Sequence, residues 1–182
     1  PFPIVCGNSA GAINAAGLAC YASCYHLGLR KLEWVWKNFH TRQVYDSGIR
    51  DVFKHLAGNF LSSFQSEQYQ KTPSSLLTNQ PLRRLIRSRL DFHRIDRNIA
   101  SGHLRAISIN ASSYSSHDSI SFYQGQSDIS PWQREQRRGI PCTLNSEHLI
   151  ASSAIPMLFP PVKMMGEFLG DGSVHQLSPL SP

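Results

Sequence analysis

The stretch PFPIVCGNSAGAINAAG at the start of the chain places the strongest limit on its fold. Residues 2–6 form a short apolar run, which is typical of a strand buried on both faces. The glycines within residues 7–11 indicate a tight turn, and the small residues at 12–26 predict a helix that follows at once. A strand, a sharp turn and a helix in this order favour an α/β domain.

Ser9 lies at the centre of this turn, in the pattern Gly7-Asn8-Ser9-Ala10-Gly11. A Gly-x-Ser-x-Gly turn between a strand and a helix exposes the serine hydroxyl and directs the first helix amides toward developing negative charge. Ser9 is therefore a candidate nucleophile for acyl transfer, and the Ala10 amide is a candidate oxyanion donor. The structural alternative is a glycine-rich turn that only closes onto a helix of small residues.

A serine nucleophile needs a base, and two assignments meet this need. In the first, Asp171 of GDGS takes the Ser9 proton directly, and Gly172 permits a sharp backbone path beside it. In the second, Asp118 and His148 complete a Ser-Asp-His triad in the chain order of α/β-hydrolases. Asp118 is also explained as a turn former and His148 as a surface residue of a helix's first turn, so the residues alone leave both assignments open.

The rest of the chain alternates between helical and strand patterns. Helices are predicted from apolar residues at helical spacing or from capping signals, at residues 29–39, 49–60, 79–90, 92–99 and 143–154. Two strands joined by a hairpin turn are predicted at residues 104–114 and 119–125. Together, the 182 residues predict a single α/β domain with a mainly parallel sheet.

The formal net charge of +6 comes from 18 Lys plus Arg against 12 Asp plus Glu, and much of the excess lies at residues 83–105. The arginines there alternate with regularly spaced apolar residues, which is typical of a solvated helix face. A basic surface also attracts anionic lipid. No aromatic RNA-binding signature or zinc-finger spacing accompanies it, so no nucleic acid partner is expected.

The four cysteines, at positions 6, 20, 24 and 142, do not form the paired clusters of a structural zinc site, so no metal is expected. Such cysteine usage is typical of a reducing compartment, and we expect a cytoplasmic protein. Residues 10–29 carry no charge and are long enough to span a bilayer. Their glycines, alanines and polar residues make them only weakly hydrophobic, which favours a buried helix over a membrane span.

Several segments, taken in order, resemble the patatin-like phospholipases in their bacterial form: IVCGNSAGAINAAG, PLRRLIRSRLDFHRIDRNIASGHLRAISINASSYSS followed by SISFY, ASSAIPMLFPPV, and LGDGSVHQLSPLSP. The likeness touches most of the chain and is weakest at residues 26–78. It implies a three-layer α/β/α fold and a Ser/Asp dyad in which Ser9 is the nucleophile and Asp171 the base. It also implies hydrolysis of ester bonds in phospholipids or other acyl lipids without a metal or other cofactor, and a basic molecule of this kind fits peripheral contact with a lipid surface.

The chain departs from the family pattern in two places. The family usually carries a glycine-rich oxyanion loop upstream of the serine turn, which this sequence lacks, and the aspartate motif reads Asp-Gly-Ser where Asp-Gly-Gly or Asp-Gly-Ala is commoner. We therefore expect residues 1–182 to be one patatin-like domain truncated at its N-terminus, with a C-terminal truncation also considered. Because losing oxyanion donors costs about a hundredfold to a thousandfold in rate, the alternative is an inactive lipid-binding or interaction module that keeps the fold.

Overall fold

The structure, a computed structural model, describes residues 2–38 and 78–176. Within these ranges the chain forms an α/β unit in which helices pack against a seven-stranded sheet. The helix predicted at residues 49–60 lies outside the described residues.

The order of elements confirms the predicted strand–turn–helix start. The elements are β1 Ile4–Asn8, α1 Ala10–Cys20, a 3₁₀ turn Ala22–Cys24, α2 Tyr25–Lys37, α3 Gln80–Arg89, α4 His93–Ala100, β2 Ala106–Ser113, β3 Ser119–Gly125, β4 Trp132–Arg134, β5 Arg137–Pro141, α5 Ser146–Ser152, β6 Val162–Met164, β7 Glu167–Asp171 and a 3₁₀ turn Gly172–Val174. The first helix ends earlier than predicted, because Tyr21 leaves the helical conformation with φ −116° and ψ 25°.

Strand β2 is the centre of the sheet. Along one edge it pairs antiparallel with β3, from Ala106 to Ser112. Along its other edge it pairs first with β1, in parallel, as far as Asn110, and then with β7, antiparallel, from Ala111 onward. Strands β1 and β7 therefore meet end to end beside one strand, each with its C-terminal end at the junction.

The expectation of a mainly parallel sheet is corrected by the strand pairs of the described residues. The β1–β2 and β3–β5 pairs are parallel, whereas β2–β3, β2–β7, β4–β5 and β6–β7 are antiparallel. For three of the antiparallel pairs the physical reason is connection length: β2–β3, β4–β5 and β6–β7 are joined by turns, while a parallel connection needs a crossover of a dozen or more residues. Strands β4 and β6 have only three residues each, too few to show a period in the sequence.

Both faces of β2 are buried, as expected for a central strand. One face carries Ile107 and Ile109, which join the apolar core with alanines of α1 such as Ala12 and Ala16. Most of the small side chains of α1 are buried, which confirms the predicted buried helix. The other face carries small polar residues, including Asn110, which lead to the candidate site.

Candidate functional site

Ser9 occupies a strained turn between β1 and α1. Its φ of 51° and ψ of −129° lie in a sparsely populated region for a residue with a Cβ, at a cost of about 1–3 kcal/mol. The turn requires Gly7, because a Cβ there would lie 2.2 Å from the Gly11 carbonyl oxygen. Ala10 is exposed and begins α1, so its amide has no intrahelical acceptor. The turn thus combines a partly exposed hydroxyl with an available backbone donor.

Asp171 is the last residue of β7, and its side chain is almost completely buried, at 1% exposure. Its Oδ1 accepts hydrogen bonds from the Ser173 amide at 2.8 Å and from the Ser173 hydroxyl at 2.5 Å. Its Oδ2 is also buried but has no hydrogen-bond partner in the part of the chain that the structure describes. A buried polar oxygen without a partner is costly, and such an atom calls for an explanation.

The turn at Ser9 and the turn after Asp171 are in contact. Asn8 pairs with Asn110 on β2, and Asp171 pairs with the next residue of β2, Ala111. Gly172 fits between the two strands, because a Cβ there would lie 2.2 Å from the Asn110 carbonyl oxygen and 2.9 Å from the Asn8 Cβ. No hydrogen bond joins the Ser9 hydroxyl to the Asp171 carboxylate in residues 2–38 and 78–176.

Residues 152–154 have no role that the sequence predicts, although ASSAIPMLFPPV is among the segments that carry the resemblance. Ser152 and Ser153 form hydrogen bonds with the backbone of Ser9. The carbonyl oxygen of Ala154 accepts a hydrogen bond from the Asp171 amide. One short segment at the end of α5 therefore contacts both turns.

Polar side chains on β1, β2 and β3 form hydrogen bonds with the chain that follows Asp171. The Asn8 side-chain amide donates to the Gln176 carbonyl oxygen, and the Asn110 side-chain amide donates to the Gln176 Oε1 at 3.1 Å. The Ser119 hydroxyl donates to the same Oε1 at 3.3 Å. These residues were missed because amide and hydroxyl pairing across distant strands leaves no spacing pattern in the sequence.

Tyr114 is a further residue near Asp171 that sequence reasoning missed. Its hydroxyl covers Gly170, since a Cβ on that glycine would lie 2.1 Å from the Tyr114 oxygen. Burial raises the pKa of Tyr114, and the negative charge of Asp171 raises it further. The phenol therefore stays protonated at neutral pH, as a neutral neighbour of the carboxylate.

The structure does not bring the alternative triad together. His148 is buried against the Phe122 ring, with ring centroids 4.9 Å apart, and its Nδ1 accepts from the Asn145 amide at 3.2 Å. Burial lowers the pKa of His148. Asp118 instead lies 3.5 Å from the Nε of Arg138. Both residues thus have structural partners on other elements, and no hydrogen bond within the described ranges links either to Ser9.

A cavity of about 460 Å³ lies between α1, α2 and the end of α3. Its wall includes Tyr21, Leu32, Trp34 and Arg89, but neither Ser9 nor Asp171 lines it. The candidate site therefore lies at the C-terminal ends of β1 and β7, and not in this cavity.

Two features are absent from residues 2–38 and 78–176. No group of three or more His, Cys, Asp or Glu side chains there is arranged to hold a metal ion. No helix in those parts is both long and apolar enough to cross a membrane.

The model of the patatin-like phospholipase family matches residues 1–182. No match was found among curated proteins. The family match agrees with the sheet and helices described above and confirms the three-layer α/β/α fold.

Proposed function

Because this chain belongs to the patatin-like phospholipase family, a family of lipid acyl hydrolases, we propose that it cleaves carboxylic ester bonds of phospholipids or other acyl lipids through a Ser9/Asp171 dyad. The observation that carries the proposal is the unpartnered Oδ2 of Asp171, buried where the C-terminal ends of β1 and β7 meet. Ser173 holds Oδ1, so Oδ2 is the oxygen left to accept a proton. Ser9 directly follows β1, the strand that ends beside Asp171 at this junction.

The reaction proceeds in two halves. In the first, the Ser9 Oγ attacks the ester carbonyl carbon as its proton passes to Asp171 Oδ2, which requires the two oxygens to come within about 2.6–3.2 Å. The amides of Ala10 and Gly11, at the N-terminus of α1, donate to the oxyanion that forms. Asp171 then returns the proton to the departing alcohol oxygen, and the acyl group remains on Ser9.

In the second half, a water molecule attacks the acyl carbonyl carbon while Asp171 Oδ2 accepts its proton. The tetrahedral intermediate collapses, the carbon–Oγ bond breaks, and Asp171 returns the proton to Ser9. The fatty acid leaves as the second product. Neither half needs a metal or a redox partner, since only protons and an acyl group move.

Exposed apolar side chains beside the site support a lipid substrate. Ile155, Met157 and Leu158 follow directly on the segment that contacts Ser9 and Asp171, and all three are exposed. Val174, three residues after Asp171, is exposed as well. Apolar surface of this kind next to a nucleophile suits an acyl chain better than a polar substrate.

The proposal is tested with a fluorophosphonate probe and a short-chain nitrophenyl ester. We expect Ser9→Ala to abolish labelling and Asp171→Asn to lower turnover by roughly a hundredfold or more, the usual contribution of a general base. Asp118→Asn makes the same chemical change at a partly buried carboxylate paired with Arg138, and turnover per folded molecule should stay within about twofold of the unmodified chain.

Labelling that persists after Ser9→Ala would show that another residue is the nucleophile. Activity that survives Asp171→Asn but disappears in His148→Ala would favour the triad. Binding to vesicles without any labelling of Ser9 would instead favour the lipid-binding module.

A further inference from the structure

The C-terminal end of α5 connects the two turns of the candidate site. The Ser9 amide donates to the Ser152 carbonyl oxygen at 3.1 Å and to the Ser152 Oγ at 3.0 Å. The Ser153 hydroxyl donates to the Ser9 carbonyl oxygen at 3.2 Å. At the next residue along the chain, the Ala154 carbonyl oxygen accepts from the Asp171 amide at 2.9 Å. Residues 152–154 therefore contact both turns and help to set the spacing between them.

Ser152 is itself anchored at the centre of the sheet. Its side chain is completely buried, and its hydroxyl donates to the Asn110 carbonyl oxygen at 2.6 Å while accepting from the Ser9 amide. Asn110 is the residue of β2 that pairs with Asn8, next to the residue that pairs with Asp171. A single hydroxyl thus ties the Ser9 backbone to the point where β1 and β7 meet.

The hydrogen bonds with Ser152 and Ser153 stabilise the strained backbone of Ser9. A residue in a sparsely populated conformation stays there only when its surroundings determine its geometry several times over. Ser152 and Ser153 bind both the amide and the carbonyl group of Ser9, and α1 adds a hydrogen bond from the Ala12 amide at 3.0 Å. We therefore expect that removing either serine hydroxyl lets the turn relax and moves the Ser9 side chain.

Building on the proposed function, we propose that Ser152 and Ser153 are positioning residues, which hold the Ser9 hydroxyl in the orientation from which it reacts with the acyl carbon and faces Asp171. Neither residue is a nucleophile or a base in this role, because their hydroxyls are directed at backbone atoms of Ser9 and Asn110. Their effect is exerted on the rate of the chemical step and not on substrate affinity.

The test compares Ser152→Ala and Ser153→Ala with a matched control, Ser146→Ala. Ser146 is a buried serine at the other end of the same helix, and its hydroxyl accepts from the Arg87 Nε at 3.2 Å, with no hydrogen bond to Ser9. Each variant is measured for its melting temperature, its rate of labelling by a fluorophosphonate per folded molecule, and kcat and KM on a short-chain nitrophenyl ester.

We expect Ser152→Ala to lower the labelling rate and kcat by roughly 10- to 100-fold, the cost of a displacement of about 1 Å, with KM unchanged within about twofold. Ser153→Ala should lower both rates by about threefold or more, since it removes one of the hydrogen bonds on the Ser9 carbonyl group. Ser146→Ala should lower the melting temperature without changing either rate per folded molecule.

The proposal is overturned if Ser152→Ala and Ser153→Ala react at the rate of Ser146→Ala once the unfolded fraction is subtracted. If Ser152→Ala does not fold, Ser153→Ala decides on the same criterion. Mass spectrometry of the labelled chain separates this failure from that of the proposed function: a label absent from Ser9 contradicts the dyad, whereas a label on Ser9 with unchanged rates contradicts only the positioning role.

Discussion

Gly7 and Gly11 flank Ser9 in the sequence, but the space around them differs. A Cβ at Gly7 would lie within 3 Å of three backbone atoms of Gly11 and Ala12. The nearest atom to a Cβ at Gly11 is Asn8 Oδ1, at 3.9 Å, which is an ordinary van der Waals contact. The sequence pattern treats both glycines as equal, whereas the structure requires only the first for lack of space.

We therefore predict opposite effects for the same substitution at these two positions. Gly7→Ala should lower the free energy of unfolding by about 1–3 kcal/mol or more, because backbone atoms must move to admit the methyl group. Gly11→Ala, in the first turn of α1, should leave the free energy of unfolding unchanged or raise it by up to about 1 kcal/mol, the difference in helix propensity. Urea denaturation followed by circular dichroism measures both. Equal losses in the two variants would contradict this explanation of the turn.

Individual residues differ in how far the sequence could identify them. Ser9 was identified as a candidate because its motif is local, and Asp171 because a second motif and a family resemblance pointed to it. Ser152, Ser153 and Asn110 were not identified, since their contacts join segments far apart in the chain, and a serine or asparagine in a helix or strand gives no sign of a distant partner. Their roles depend on tertiary packing alone.

At the scale of elements, the loop after α5 presents apolar side chains beside the site. Met157 is 76% exposed, and its φ of 68° is an uncommon backbone conformation for a residue with a Cβ. Its neighbours Ile155 and Leu158 are exposed too. Exposed apolar surface is costly in water and is expected to be covered when an acyl lipid is bound.

Met157→Ser should therefore weaken action on lipid aggregates while sparing soluble substrates. Full burial of a methionine side chain is worth about 1.5–3 kcal/mol, so we expect KM for phospholipid micelles to rise by roughly tenfold, with turnover of a short-chain soluble ester unchanged. Met165→Ser is the matched control: Met165 is 67% exposed with a φ of 53°, but lies in the β6–β7 turn, at the end of β7 opposite to Asp171. Equal changes in both variants would contradict a role for the loop.

The elements themselves were mostly predictable, and the sheet topology was not. Helices α3 and α4 and the β2–β3 hairpin lie within a few residues of their predicted positions, because periodicity and turn residues are local signals. The sheet was predicted to be mainly parallel from the alternation of strands and helices. That inference fails where a short hairpin replaces a helical crossover, and three-residue strands such as β4 and β6 leave too little sequence to reveal it.

At the scale of the molecule, part of the positive charge is paired with a carboxylate between two helices. Arg83 and Arg87 of α3 pair with Glu147 of α5, at 3.0 and 3.2 Å. These ion pairs join the two helices, so arginines that the sequence predicted as a solvated face also have a structural role. The formal net charge of the sequence is +6. The cavity between α1, α2 and α3 is lined by Arg30, Lys31 and Arg89, and no carboxylate is among the described residues of its wall.

The excess of positive charge predicts salt-dependent binding to anionic lipid. At about 0.1 M salt, where the Debye length is about 10 Å, vesicles containing anionic phospholipid should bind more of the protein than zwitterionic vesicles. At about 1 M salt the two kinds of vesicle should bind equal fractions of the protein, because the Debye length is then only about 3 Å. Sedimentation with vesicles measures the bound fraction. Equal binding to both kinds of vesicle at low salt would contradict an electrostatic contribution.

The meeting of β1 and β7 beside β2 also has a consequence for how the molecule folds. Asn8 and Gln176, which are joined by a hydrogen bond at this junction, lie 168 positions apart in the sequence. Closing so long a loop costs chain entropy before the contacts at its ends add any stability. Contacts of this kind therefore tend to form late in folding. The proposed dyad is therefore assembled only when nearly the whole described chain is in place. Recovery of esterase activity during refolding would then report the last step of folding, after the helical signal has already returned.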